Sequence, residues 1–293
     1  MSVPPSSHSP SASPNASGAP SATGGARPHC TAPPVIAHRG DGAPVATLFP
    51  ENTSAAELDA VRHGASMMNV DVRWTADNVP VALHDATLDR TTTAAGHGVA
   101  VLSVTAAQFT ALWAKNNDGT PYPGHIHPQT LAQLLSAVRG TGLPLVIQME
   151  ADPFAPGGAG QSSISGLAAV IEDAGYAGRT VVGGWNAADV RAFAGAAPGV
   201  RTALIREALS PSAAPSASTV TATGVHILYI DYLGVTAALV ASWRQAGLVV
   251  WVWTPAYPPQ WSALRTAGVD AIATNWVPSY VQWAGGSCPA TLT

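Results

Sequence analysis

Short apolar runs alternate with stretches of helical period along most of the chain. The first run, Val35–Ala37, follows Pro33-Pro34 and leads into a polar turn. A loop over 41–49 precedes Pro50-Glu51-Asn52-Thr53. There Asn52 or Thr53 can cap a helix with Ala55, Ala56, Leu58 and Val61 on its apolar face and Gly64 at its end. Residues 67–72 read as a strand, with Asn69 and Asp71 on one face and Val70 and Val72 on the other. Too few residues separate it from 79–83 for a parallel crossover, so the two runs should form a hairpin that folds His84 back toward Asp71. Residues 86–128 keep no sustained period and are expected to make an excursion over one end of the fold.

From residue 130 the alternation is regular. Helices are predicted over 130–139, 162–174, 187–195, 235–246 and 259–267, and strands over 143–149, 180–183, 201–205, 225–230, 248–253 and 271–274. The Ser/Pro/Ala-rich stretch 208–223 is expected to be partly helical at best. Counted with the hairpin's first arm, the strands make an eightfold βα alternation, which predicts an α/β fold of the (β/α)8 TIM-barrel type. An open doubly wound sheet is the alternative; no Gly-rich phosphate fingerprint opens the first helix, which weakens a dinucleotide reading.

Composition narrows this picture. Residues 1–30 are dominated by Ser, Pro, Ala, Gly and Thr, cannot bury enough apolar surface to offset the entropy of ordering, and are expected to be disordered. Residues 31–288 are then one barrel-sized domain. The net charge is −4 and the 13 Lys+Arg form no cluster, which argues against a nucleic-acid partner. No apolar stretch is long enough for a transmembrane helix. The two cysteines, Cys30 and Cys288, flank the folded unit. In a barrel the two ends of the chain meet on the non-catalytic face, so a Cys30–Cys288 disulfide is expected, with two unrelated thiols as the alternative. A disulfide implies an oxidising compartment. The sequence lacks a basic start followed by an apolar run, which fits either a trimmed leader or a cytosolic protein; the Ser/Pro-rich tail and the cysteine pair favour a secreted or extracytoplasmic protein with a trimmed leader.

Candidate chemistry gathers where apolar runs end, which is where barrels display reactive side chains. His38 and His84 suit a general acid and a general base flanking one bond. Arg39 can match a phosphate bidentately or pair with Glu51. Asn69 and Asp71 on one strand, and Gln148 and Glu150 on the next, offer oxygens to a hard cation such as Ca²⁺ or Mg²⁺, though with few charges. Glu51 is counted with these candidate ligands. Trp185 and Trp253 at strand ends can wall a substrate pocket or simply pack. Asn275, just past the last strand, can close its floor.

These residues resemble the glycerophosphodiester phosphodiesterase family, within the phospholipase C-like phosphodiesterase barrels. The resemblance spans the ordered chain: His38-Arg39-Gly40, Pro50-Glu51-Asn52-Thr53, Asp71-Val72, His84-Asp85 with Asp89-Arg90-Thr91-Thr92, Val252-Trp253-Thr254 and the run 268–275. It implies a TIM barrel, hydrolysis of a small-molecule phosphodiester or lipid head-group diester to an alcohol and a phosphomonoester, a histidine pair at His38 and His84, phosphate contact by Arg39, and a divalent cation. A monomer is expected.

The chain departs from that family at the metal. A family Glu is Asn69, the next-strand Glu aligns with Gln148, and a phosphate-binding Lys aligns with Glu150. Three readings follow: a remodelled cation site at Asn69, Asp71 and Glu150; an enzyme in which Arg39 carries the phosphate charge with little or no metal; or a barrel that binds a phosphorylated or sugar-like ligand without turnover. The retained histidine pair favours the first two.

Overall fold

A computed structural model of the chain describes residues 30–41, 49–155, 157–290 and 292. The tail over 1–29 and most of the loop over 41–49 lie outside the described residues. The strands are β1 Val35–Ala37, β2 Met67–Trp74, β3 Pro80–Ala82, β4 Leu145–Met149, β5 Thr180–Gly184, β6 Arg201–Arg206, β7 Ile227–Asp231, β8 Val249–Trp253 and β9 Ala271–Thr274. β1 pairs in parallel with both β9 and β2, which closes eight parallel strands into a barrel; β3 is an antiparallel arm on β2. Pro80 sits in that arm, where its missing N–H interrupts no central ladder. The (β/α)8 architecture is therefore the TIM barrel that the alternation predicts.

The helices are α1 Ser54–Arg62, α2 Ala106–Thr110, α3 Leu131–Val138, α4 Gln161–Asp173, α5 Ala187–Ala196, α6 Ala217–Thr221, α7 Ala237–Gln245, α8 Pro258–Ala267 and α9 Val277–Ala284. The segment between β3 and α3 holds only α2 and a 3-10 turn, Val101–Ser103, and adds no barrel strand. Within 208–223 the regular structure is a 3-10 turn, Pro211–Ala213, and the short α6.

Two departures from the sequence expectations have physical causes. α9 is absent from the predicted elements, although proline in its first turn and left-handed Gly285 at its end are ordinary start and stop signals. On α1, Thr53 is the cap, accepting from the Ala56 N–H, but the buried residues are Ala56, Glu57, Asp59 and Ala60. Ala56 and Ala60, one turn apart, allow close packing, while Leu58 and Val61 are only half-buried against the α3 side. Glu57 is fully buried, and burial holds its carboxyl well above the usual range.

The barrel interior is filled by alternate residues such as Ile36, Met67, Val146, Val181, Ile205, Trp251 and Ala273. Their neighbours face outward into two helix-covered layers. Register places Asp71 beside Gln148 and Ala37 beside Thr274, so the segments just past β1, β2, β4 and β9 meet at one end.

The ends of the chain are tied at the other face. Cys30 and Cys288 form a disulfide with Cα atoms 5.6 Å apart. Ser66 Oγ donates to the Cys288 carbonyl, and Tyr280 Oη donates to the Pro33 carbonyl at 2.8 Å. The bridge closes a loop spanning 258 residues, so its main effect is on the unfolded chain. Replacing both cysteines with serine is expected to lower the unfolding midpoint in denaturant titration, with a loss of stability of up to ~4–5 kcal/mol. Equal unfolding midpoints with and without reductant would contradict this.

Candidate active site

The site begins at the turn after β1. The His38 N–H donates to the Thr274 carbonyl at 3.2 Å, extending the β1–β9 ladder by one residue. The chain then reverses through Arg39 (φ 60°) and Gly40 (φ 83°). A Cβ at Gly40 would lie 2.6 Å from the Ala56 carbonyl carbon, so this turn can press on the first turn of α1 only with glycine there. Asn52 is also left-handed, at φ 56°, and its N–H donates to the Arg39 carbonyl at 3.0 Å. Left-handed non-glycine residues are strained by about 1–2 kcal/mol. At Asn52 the strain is offset by two hydrogen bonds: Nδ2 donates to Asp71 Oδ2 at 3.1 Å, and Oδ1 accepts from the Asp71 N–H at 2.9 Å.

Asp71 is fully buried at the centre. Gln148 Nε2 donates to its Oδ1 at 2.8 Å, and Arg39 Nε lies 2.9 Å from its Oδ2, an ion pair whose N–H is turned off the line of contact. Burial pushes the carboxyl up, but the Arg39 charge, with smaller help from His38 and His84, outweighs it and holds Asp71 below the usual range. Arg39 Nη1 also donates to Glu51 at 3.2 Å. Arg90 donates to the other side of Glu51, at 2.7 and 3.0 Å, and to Asp85 at 2.7 and 2.9 Å. Asp85 in turn pairs with His84 Nδ1 at 2.8 Å. A continuous chain of ionic contacts thus runs from Asp71 to His84.

The two histidines are held differently. His38 is buried, with Nδ1 2.6 Å from Asn275 Oδ1. That partner accepts, so Nδ1 carries the proton and Nε2 keeps its lone pair. Burial, then the Arg39 charge, lowers the His38 pKa from 6.5 to about 4. His84 is about one-third exposed. The hairpin delivers it as expected: the Leu83 N–H donates to the Asp71 carbonyl at 3.0 Å, and Arg73 Nε donates to the His84 carbonyl at 2.5 Å. Its Nε2 lies 3.9 Å from Glu150 Oε2, and Trp185 Nε1 donates to the same oxygen at 3.1 Å. Burial and Asp71 push Glu150 up to about 7. The Trp185 and Trp253 rings meet edge to face, centroids 5.8 Å apart. Both are half-buried at the rim of the barrel interior. Among the barrel-lining residues, Tyr229 is fully buried and its hydroxyl has no hydrogen-bond partner.

Apart from His38, whose ring meets Asn275, the site residues singled out from sequence are joined by successive contacts, but Asn69, Asp71, Gln148, Glu150 and Glu51 do not make a cation shell. The Gln148 amide nitrogen sits between Asp71 Oδ1 and Asn69 Oδ1, 2.8 and 3.3 Å away. Asn69 Nδ2 is turned to the Val146 carbonyl at 3.1 Å. Asp71 Oδ2 faces Asn52 and Arg39, Glu51 faces two guanidiniums, and Glu150 faces Trp185. A hard cation needs six or so free oxygens, and here the oxygens are already directed at N–H donors. Among the described residues, the group of three acidic or histidine side chains close enough to share an ion is Asp41, Asp59 and His63, around the outer end of α1. The residues reached without a site role assigned from sequence are Asp85, Arg90, Arg73 and Asn52, the last weighed only as a helix cap. Asp85 and Arg90 both lie in the polar run after His84, so their signal was proximity to that histidine.

A closed parallel barrel with two imidazoles, guanidiniums and a buried carboxylate at its strand ends is an enzyme of the phosphoric diester hydrolase class. The glycerophosphoryl diester phosphodiesterase family model matches residues 38–278, and the chain belongs to that family. A glycerophosphodiester phosphodiesterase of Caldanaerobacter subterraneus is 27% identical over 241 residues, covering 82% of this chain and 93% of its relative. The glycerophosphodiester phosphodiesterase of Agrobacterium tumefaciens superposes with a TM-score of 0.66 at 25% identity, over 86% of this chain and 99% of that one. A phosphodiesterase of Oleispira antarctica, solved with the product sn-glycerol-3-phosphate, shares the fold with a TM-score of 0.72 at 22% identity, over 86% of this chain and 96% of that one. Members of this family generally use divalent metal ions.

Two outcomes test this geometry. The unfolded chain takes up a proton near pH 6.5 that folded His38 resists until about 4, so His38 contributes stability above pH 6.5 that is lost as pH falls toward 4. Denaturant midpoints at pH 7.5 and 4.5 should therefore converge in His38→Gln relative to wild type; an unchanged pH dependence would contradict the burial argument. In thermal melts, wild type should be indifferent to millimolar Ca²⁺ or EDTA, whereas Asn69→Glu/Gln148→Glu should melt lower in EDTA and recover with Ca²⁺. Stabilisation of wild type by the ion that persists in Asp41→Asn/Asp59→Asn would show that the amide-filled centre opens to a cation.

Proposed function

We propose that this protein hydrolyses glycerophosphodiesters to an alcohol and a phosphomonoester, with His38 as general base and His84 as general acid. The opposite settings of the two imidazoles support the assignment. His38 is neutral near pH 7, and its Nδ1–H is given to Asn275, which leaves Nε2 free to take a proton. His84 lies between the Asp85 and Glu150 carboxylates, with Nδ1 2.8 Å from Asp85 and Nε2 3.9 Å from Glu150. His38 Nε2 removes a proton from the attacking hydroxyl, either water or a neighbouring hydroxyl of the substrate. The new P–O bond forms as the bond to the leaving alcohol breaks, and His84 Nε2 gives that alcohol its proton. If the substrate's own hydroxyl attacks, the first product is cyclic.

In this reading Arg39 carries the phosphate charge. Its Nε side is held by Asp71 and one Nη by Glu51, which fixes the plane of the guanidinium. Arg90 keeps Glu51 and Asp85 in place and so orients both Arg39 and His84. No step is assigned to a metal ion, because the Asp71 oxygens already face protein donors. The Cys30–Cys288 bridge supports a secreted or extracytoplasmic setting, with soluble lipid head-group diesters as substrates.

His38→Ala and His84→Ala are each expected to lower kcat/KM on a glycerophosphodiester by about 100- to 10,000-fold, with unchanged circular dichroism. Near wild-type turnover in either folded variant would remove the acid–base pair from the mechanism.

A further inference from the structure

A second cluster of ionisable side chains lies along α1. Asp59 and His63, the C-cap residue, are four positions apart and so project from the same stripe of the helix. Asp41 meets them from the turn after β1. Left-handed Gly40 brings the chain back onto α1, and the Asp41 N–H donates to the Ala56 carbonyl at 3.1 Å. His63 Nδ1 then lies 3.1 Å from Asp41 Oδ2 and 3.5 Å from Asp59 Oδ2. One ligand atom from each of the three residues falls within 4.8 Å of the others.

The two carboxylates are not equally provided for. Asp59 has a partner outside the cluster, because Arg62 Nη2 donates to its Oδ1 at 2.6 Å. The Asp41 side chain is only 1% exposed, and among the described residues its side-chain partner is His63 alone. Its Oδ1 is sealed from water and has no hydrogen-bond partner. A buried carboxylate oxygen that no donor reaches is destabilising unless positive charge is supplied from elsewhere.

We propose that Asp41, Asp59 and His63 form a structural site for a divalent cation of the zinc class, separate from the His38–His84 centre, which pins the turn after β1 to the second half of α1. The ligands are His63 Nδ1 and an oxygen from each aspartate, and water reaches a fourth position past the His63 ring, which is 42% exposed. A tetrahedral ion with bonds of about 2.0–2.2 Å sets its ligand atoms about 3.3–3.6 Å apart. The two spacings from His63 Nδ1 are already close to that. The ion's charge also answers the Asp41 carboxylate, whose second oxygen has no donor. One imidazole with two carboxylates suits Zn²⁺, whereas Ca²⁺ takes six or more oxygens. With three protein ligands, one of them open to solvent, the ion exchanges freely, so the site fills only when zinc is supplied.

The test titrates zinc chloride into the full chain by isothermal calorimetry at pH 7.5, with thermal melts alongside. Wild type is expected to bind one ion per chain saturably and to melt higher in zinc chloride but not in calcium chloride. Affinity should fall by about tenfold or more in His63→Gln and in Asp41→Asn. Melts without zinc show that each variant is folded, and the exposed His63 position carries the comparison if Asp41→Asn is not. His38→Gln/His84→Gln, which removes the imidazoles of the other centre, should bind zinc as wild type does. No saturable binding by wild type, or equal affinity in folded His63→Gln, overturns the site. Zinc binding that disappears in His38→Gln/His84→Gln also overturns it, by placing the ion at the strand ends. Neither readout uses turnover, so the result is independent of the hydrolase reading.

Discussion

A carboxylate sealed inside a protein has to be matched by donors, or the fold cannot keep it ionised. Asp71 meets that demand with Arg39, Asn52 and Gln148, and the rest of the site is arranged around how it does so. Arg39 reaches it from a left-handed turn that Gly40 makes compact, and Asn52 reaches it from the residue before the α1 cap. Removing the charge at Asp71 would leave a half-buried guanidinium and two amides without their common acceptor. The same charge acts on both histidines, which couples the β1 and β3 ends of the barrel electrostatically.

This arrangement gives a physical meaning to the polar substitutions in the metal region. An amide at position 148 supplies a donor where a carboxylate would supply only acceptors. Its nitrogen bridges Asp71 and Asn69, so two oxygens that could face an ion instead share one NH2 group. In the proposed mechanism the positive charge offered to a phosphate is that of Arg39, fixed by two carboxylates. Glu150 is the odd member of the set: it is pushed up by burial and by Asp71, and it accepts from the Trp185 indole N–H rather than from a guanidinium.

Much of this was legible in the sequence because it follows from short-range rules. The βα alternation fixes the barrel, the brief link after β2 forces the hairpin that carries His84, and the two-residue period puts Asn69 with Asp71 and Gln148 with Glu150. The strand-end histidines stand out for the same reason. What was not legible depends on tertiary contact. The burial of Glu57 contradicts the amphipathic pattern of α1, because small Ala56 and Ala60 set the contact rather than Leu58 and Val61. The direction in which each side-chain amide points, which decides between an ion shell and a hydrogen-bonded centre, is set by all its neighbours at once. Arg90 shows the same limit: its spacing from Asp85 is visible, but its grip on Glu51, 39 residues earlier in the chain, is not.

The central claim is that an arginine held by Asp71 and Glu51 does the electrostatic work for a phosphodiester. The most direct measurement is steady-state hydrolysis of a glycerophosphodiester by protein stripped of metal with chelator, with residual metal content verified. Turnover matching that of untreated protein, and unaltered by added Ca²⁺ or Mg²⁺, is the predicted result. Loss of turnover on stripping, restored in proportion to the added ion, would contradict it.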